Sequence, residues 1–235
     1  MTPLEQIRLD LEAEQQDLGA VLVRLSAKDW ERDSHAPGWK VRDQVAHLAY
    51  FDEAATRGIL DPDGFRREIK EGQANPEAGP SYLEKARDLS HAEVLAWWER
   101  ASSGLIKETW SHGLDVVDVV PFERPATDRI RHVAFIGVRA RPFSYVTNGR
   151  EPNNEEVFVD LVLPSGAPWQ SGNPEAKNRI SGSAEQFAKV ACQRRHLADT
   201  QLKIEGEAAI EWMSIAQAFA GPPGQGRRPG EFPDG

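Results

Sequence analysis

Cysteine occurs once in the 235 residues, as Cys192, so no internal disulfide can form and the chain fits a reducing compartment. Long apolar runs are also missing. No stretch of 18 apolar residues exists, which argues against a membrane-spanning helix. The opening Met1-Thr2-Pro3-Leu4-Glu5 has neither a basic segment nor an apolar one, so export is not signalled and a cytoplasmic protein is expected. Positive charge is scarce: 28 Lys and Arg stand against 37 Asp and Glu, a formal charge of −9. A domain of that sign repels phosphate backbones, so no nucleic-acid partner is expected. No internal repeat is visible, and before residue 150 no convincing strand pattern.

What is present is helical spacing. Leu4, Ile7, Leu11, Leu18, Val21, Leu22 and Leu25 recur at helical intervals, which predicts one long amphipathic helix. Asp33 to Gly38 is a loop by composition. A second helix is predicted from about Lys40 to Ile59, with Val41, Val45, Leu48, Asp52 and Ala55 along one stripe, ended by the turn residues Asp61-Pro62-Asp63-Gly64. Asn75 to Pro80 is another break. Ser90 followed by Glu93 is a capping-box signature opening a helix through Val94, Trp97, Trp98 and Ala101. Helical spacing continues from Leu105 to Val120 and again from Thr127 to Val138, ending before Asn148-Gly149. Five helical segments without a strand imply a bundle.

After Pro152 the pattern changes. Val157, Val159, Leu161 and Leu163 alternate with their neighbours as in a strand, closed by Pro164-Ser165-Gly166, with Trp169 on a hairpin partner. A helix through Phe187, Val190 and Ala191, a short strand at Leu202–Gly206 and a helix from Ala208 to Phe219 complete an α+β fold class. The expected domains are a bundle over 1–150, a small α+β domain over 151–220 and a disordered Pro/Gly-rich tail over 221–235.

Chemistry is concentrated in a few residues. Glu108 and His112 are four apart, so on a helix they share one face, and the stripe Leu105, Glu108, His112, Val116, Val119 puts a carboxylate and an imidazole where apolar residues belong. A buried carboxylate needs a partner, and a divalent cation is an efficient one. The bland alternative is an intrahelical Glu-His pair on a solvated face. His47, mid-helix on the flank of the second apolar stripe, adds a third donor from a facing helix. Bundles build metal sites from such side chains, and three protein ligands leave positions open for water or substrate. Its own bland reading is a core-edge histidine bonded to Asp43, and in the metal reading Asp43 orients the His47 ring. Tyr50 and Asp52 are further polar candidates for a pocket.

Arg194 and Arg195 follow a predicted helix and are candidates for gripping an acidic ligand, with surface ion pairs the competing explanation. Cys192 reads as a small buried residue rather than a nucleophile. His35, His91, His132 and His196 have no partner at ligand spacing, and the seven tryptophans, Trp97-Trp98 included, read as packing.

Gly38-Trp39 leading into Val41-Arg42-Asp43-Gln44-Val45-Ala46-His47-Leu48, with Glu108-Thr109-Trp110-Ser111-His112-Gly113 downstream, resembles the DinB-like metal-binding fold. More closely it resembles the mycothiol-dependent maleylpyruvate isomerase group of actinobacteria. The ending from Gln193 to His196 and Ala216 to Gly224 is similar to a subfamily whose C-terminal domain has been likened to a wyosine-formation domain. The resemblance implies zinc or a similar divalent ion on His47, Glu108 and His112. It also implies a low-molecular-weight thiol such as mycothiol, and a transferase or isomerase acting on a small electrophilic metabolite. It implies a role for a C-terminal arginine as well, which aligns securely with neither Arg194 nor Arg195. The stretch between Trp98 and Glu108 is shorter than the pattern, a departure that touches the pocket wall. A thiol-independent metal hydrolase, lyase or cyclase, and a non-catalytic metal-binding protein, are the alternatives this reading leaves open, since one scaffold hosts many chemistries.

Overall fold

The computed structural model describes residues 3–74, 81–101, 113, 115–116, 118–120, 125–219, 223–224 and 226–231. It divides into two compact units, Met1–Arg124 and Pro125–Gly235. Among the described residues no helix is long and apolar enough to cross a membrane.

The first unit holds α1 (Pro3–Leu22), α2 (Ala27–Trp30), α3 (Val41–Leu60), α4 (Pro62–Ala74), α5 (Ser81–Arg87) and α6 (His91–Ala101). Helix α3 is its axis and packs on α6, α4 and α5. The predicted stripe on α3 is buried: Val41 and Val45 are fully covered, Leu48 is 1% exposed, and they meet Leu18 and Leu22 of α1, Leu83 of α5, and Val94 and Trp98 of α6. The Ser90–Glu93 box forms as read, with the Ser90 N–H and hydroxyl donating to Glu93 Oε2 and the Glu93 N–H to Ser90 Oγ. The start of α1 departs from its apolar pattern. Ile7 is largely exposed, while Asp10 and Glu14 occupy the turns below Leu18 on the buried side. Two helices went unread. The turn residues Pro62-Asp63-Gly64 open α4 rather than a loop, with Asp61 Oδ1 accepting the Gly64 N–H, and α5 follows Pro80 directly.

Glu31 ties three segments together. It accepts from His91 Nε2 at 2.8 Å, Lys40 Nζ at 2.7 Å and Arg42 Nη1 at 2.9 Å, while the His91 ring stacks on Trp30. The His91 bond foremost, then Lys40 and Arg42, pull the Glu31 carboxyl down to about 2. A carboxyl with a depressed folded pKa stabilises the fold above its unfolded value near 4.5, and that contribution is lost as pH falls toward 2. The thermal midpoint should therefore drop through this window, and Glu31→Gln should flatten the drop. The effect is modest, because the side chain is 38% exposed and solvent screens the pairs. An unchanged slope in the variant would remove Glu31 from the acid response.

The second unit begins earlier than the expected boundary at 150. Helices α7 (Ile130–Arg139) and α8 (Arg141–Thr147) belong to it. The physical reason is Gly137: a Cβ there would lie 3.0 Å from Phe187 and 3.2 Å from Ala191, so the missing side chain lets α7 seat on α9 (Ala184–Ala191). The single helix expected from Thr127 toward Asn148 is broken at Ala140, ahead of Pro142. The sheet has the order β2-β1-β3-β4, with β1 (Val157–Val162), β2 (Pro168–Ser171), β3 (Asn178–Ser183) and β4 (Lys203–Glu205). Strands β1 and β2 form the expected hairpin, with Leu161 opposite Trp169, and β1 runs parallel to β3, Val159 opposite Ile180. The last helix, α10 (Glu207–Ile215), begins at Gly206, which sits at φ +87° with its backbone against Asn178. Parts of the expected disordered tail are held: the Gly224 N–H donates to Gln217 Oε1 at 3.3 Å and the Gly230 N–H to Asp199 Oδ1 at 2.7 Å.

Candidate metal centre

Helix α3 carries His47 half-buried between residues committed to the core, Ala46 and Leu48. The imidazole Nδ1 lies 2.7 Å from the Tyr82 hydroxyl of α5. Rings surround it: Phe51 at 4.4 Å, Trp39 edge-on at 5.1 Å and Tyr82 at 6.1 Å between centroids. Tyr50 joins this group by stacking on Tyr82 at 4.2 Å and 9°. Burial, then the nearby Tyr50 and Asp43, hold the Tyr82 hydroxyl's pKa well above its usual range, so it stays a neutral phenol. A histidine that binds a metal through one nitrogen almost always uses the other in a hydrogen bond that fixes the ring. His47 makes a hydrogen bond of that kind at Nδ1, with Tyr82.

Asp43 was the expected partner for the ring, and the structure employs it elsewhere. Its carboxylate accepts the Lys40 N–H at 2.9 Å, closing the start of α3, and is gripped by Arg87 through Nε and Nη2 at 3.0 Å each. The sequence reading missed Tyr82 because it lies 35 residues from His47, on a seven-residue helix too short to show a periodic stripe. Its available signal was local: Leu83 and Ala86, buried one turn apart just after a proline break.

Asp52 lies on the core-facing stripe with its side chain buried, 2% exposed. Tyr50 also reaches Glu68 and lies under the Arg57 guanidinium, 5.6 Å from the ring. Glu108 and His112 lie outside the described residues, as does most of the shortened stretch after Trp98. Among the described residues no group of three His, Cys, Asp or Glu is placed to hold a metal ion. In the second unit Arg194 turns back to donate to the Cys192 carbonyl at 2.7 Å, and Arg195 donates to the Arg194 carbonyl at 2.7 Å. Cys192 is buried, as read. His91, read as an ordinary histidine, is a structural one, bonded to Glu31.

Residues 11–108 match the family model described as the mycothiol maleylpyruvate isomerase N-terminal domain. An uncharacterized protein of Mycobacterium tuberculosis, in strains CDC 1551 and H37Rv, is 37% identical over 248 aligned positions, covering 93% of this chain and 96% of that protein. Two crystal structures of the mycothiol-dependent maleylpyruvate isomerase, one of a mutant, are each 17% identical. They align over 83% of this chain and 90% of theirs, with TM-scores of 0.39 and 0.38. By the domain match, and by a relative that aligns along nearly its whole length, this chain belongs to the mycothiol maleylpyruvate isomerase N-terminal domain family.

Proposed function

We propose that the chain is a thiol-dependent isomerase or transferase acting on a small electrophilic metabolite in the cytoplasm. Mycothiol is its thiol, and a divalent ion, zinc by the chemistry of the donors, is held by His47, Glu108 and His112. The observation that carries this reading is the family match over residues 11–108, which includes His47 and ends on Glu108. Two imidazoles and one carboxylate are a donor set that zinc enzymes use with a position left open.

The one donor the structure describes suits the task. With Nδ1 of His47 on Tyr82, Nε2 is the nitrogen assigned to the ion. When bound, the ion would lower the pKa of a thiol or water beside it and supply a nucleophile near neutral pH. The protein's part is to fix the imidazole plane through Tyr82 and to pack the ring against Trp39 and Phe51. Tyr50, stacked on Tyr82, braces the phenol from behind.

Mycothiol titrated into cobalt-substituted protein should produce a sulfur-to-metal charge-transfer band in the near ultraviolet and release a proton. If the band is absent at saturating thiol with cobalt demonstrably present, the thiol reading fails and a thiol-independent metal enzyme takes its place.

A further inference from the structure

Helix α4 lies on the first unit with little of itself covered. Pro62 and Asp63 are exposed, Gly64 and Phe65 are half-buried, and every residue from Arg66 to Gly72 is exposed. A surface helix ordinarily buries one apolar stripe against its neighbours. On α4 that stripe is Phe65, Ile69 and Gly72, yet Ile69 keeps 43% of its surface in solvent. The main partner of α4 is α3, where Phe65 is seated in a notch. A Cβ on Gly58 would lie 3.2 Å from the Phe65 ring, so the missing side chain makes the room.

The junction lets α4 turn as a unit. Between the two helices Asp61 leaves helical geometry, at φ −138° and ψ 73°, and Pro62 follows with no N–H to continue the ladder of α3. The first turn of α4 is closed locally, the Gly64 N–H donating to Asp61 Oδ1 at 2.9 Å. The start of the helix therefore needs nothing from α3.

Beyond the notch, α4 is clasped by Glu68. Its Oε1 accepts from Arg57 Nη2 at 3.2 Å and from the Tyr50 hydroxyl at 3.4 Å. The Arg57 and Glu68 side chains are 40% and 45% exposed, so solvent screens their pairing and the clasp is weak. Arg57 also has a second carboxylate on its own helix, Glu53 at 3.8 Å, itself fixed by the Trp97 indole N–H at 2.8 Å. Release of Glu68 therefore strands no charge. The same clasp ends on the site: Tyr50 stacks on Tyr82, whose hydroxyl meets His47 Nδ1, so Glu68, Tyr50, Tyr82 and His47 form one line of contacts. An element with few buried apolar contacts and exposed polar ones opens at low cost.

From this arrangement we infer that α4 is a hinged arm whose docking sets the Tyr50–Tyr82 pair behind His47, tightening the site when clasped and loosening it when released. Only the consequence for a bound ion rests on the metal reading. The chain has three tyrosines, and Tyr145, fully buried in the second unit, serves as the internal control. The full-length protein, freed of metal with EDTA, is treated with tetranitromethane, and nitration of each tyrosine is followed by mass spectrometry. Phe65→Ala empties the notch and should speed nitration of Tyr50 about fivefold or more, the weight of a half-buried phenylalanine side chain. Glu68→Ala should speed it about twofold to tenfold, and Glu68→Gln, which keeps an acceptor, by less. Arg66→Gln, an exposed arginine of α4 paired with Asp63, should change nothing, and Tyr145 should be constant throughout. The substituted residues lie outside the buried core of the unit, so the variants fold. In the unaltered protein, α4 amides should exchange with deuterium at least about a hundredfold faster than those of Val45 to Ala49. An unchanged Tyr50 rate in Phe65→Ala, an equal rise in Arg66→Gln, or α4 amides as protected as those of α3 would each overturn the arm. Cobalt binding should weaken about twofold to tenfold in Phe65→Ala, as for one lost hydrogen bond behind the ligand. Unchanged cobalt affinity there would overturn the link from arm to site. Unaltered protein that takes up no cobalt would instead sink the metal reading, with the Tyr50 rates still deciding the arm.

Discussion

Bound metal should fall from one ion per chain to none in His112→Ala, while the helical circular dichroism of the protein is kept. In the proposed site, losing one of three ligands would take away a direct bond and leave the other two unable to hold the ion against water. Glu108→Gln tests the same assignment by charge: the amide keeps the size and loses the anion. Changes to residues that merely orient a ligand cost 10–100-fold in affinity as a rule, and a lost ligand charge should cost no less. Tyr82→Phe supplies the graded comparison, since it deletes only the hydroxyl that meets His47 Nδ1. It should fall within that 10–100-fold range and below the loss in Glu108→Gln. If Glu108 were a surface helix partner, its replacement would change stability by roughly 0.2–0.5 kcal/mol and metal not at all. Metal analysis of the three variants beside their melting curves separates the readings. Full metal content in His112→Ala ends the ligand assignment.

The largest effect on stability should come from Phe187→Ala. Phe187 is fully buried on α9, edge-on to Trp212 of α10 at 6.0 Å and 74°, and fills the space left by the missing side chain of Gly137. Truncating a core phenylalanine costs about 3–5 kcal/mol, the lost transfer energy plus a cavity that close-packed neighbours cannot close. Because the chain has two units, the clean readout is hydrogen exchange of the α9 and β3 amides rather than one global melt. Protection there should fall by the corresponding two to four powers of ten, with α3 and α6 of the first unit unaffected. A loss below tenfold would show that the core around Phe187 collapses to fill the space.

Where the sequence was legible, one local rule agreed with the fold. The α3 stripe, the Ser90–Glu93 box and the alternation from Val157 all became the elements they signalled, because burial and capping act within a few residues. Where it was not, the deciding contact was remote or the segment short. Helix α7 reads as one more bundle helix until Gly137 meets Phe187, fifty residues on. Ile7 has the right spacing but lies outside the buried face, where Asp10 and Glu14 stand instead, and spacing alone does not fix which face is covered. At the candidate site, His47 is singled out in the sequence by its place beside an apolar stripe, and the structure places it half-buried on α3. Its nearest acid, Asp43, was a poor guide to its partner, since a carboxylate at the third position of a helix is drawn to the unpaired N–H groups there. The mate came from α5, 35 positions further along the chain, and nothing between the two announces it.

The sheet of the second unit ends in two strands that resist recruitment. β2 has four residues and opens on Pro168, which has no N–H to offer a visitor, and β4 has three and begins on the exposed Lys203. A strand from another copy would find a ladder too brief to pair with, interrupted at one border and charged at the other. Fibre-like growth through the edges of this sheet is thereby discouraged.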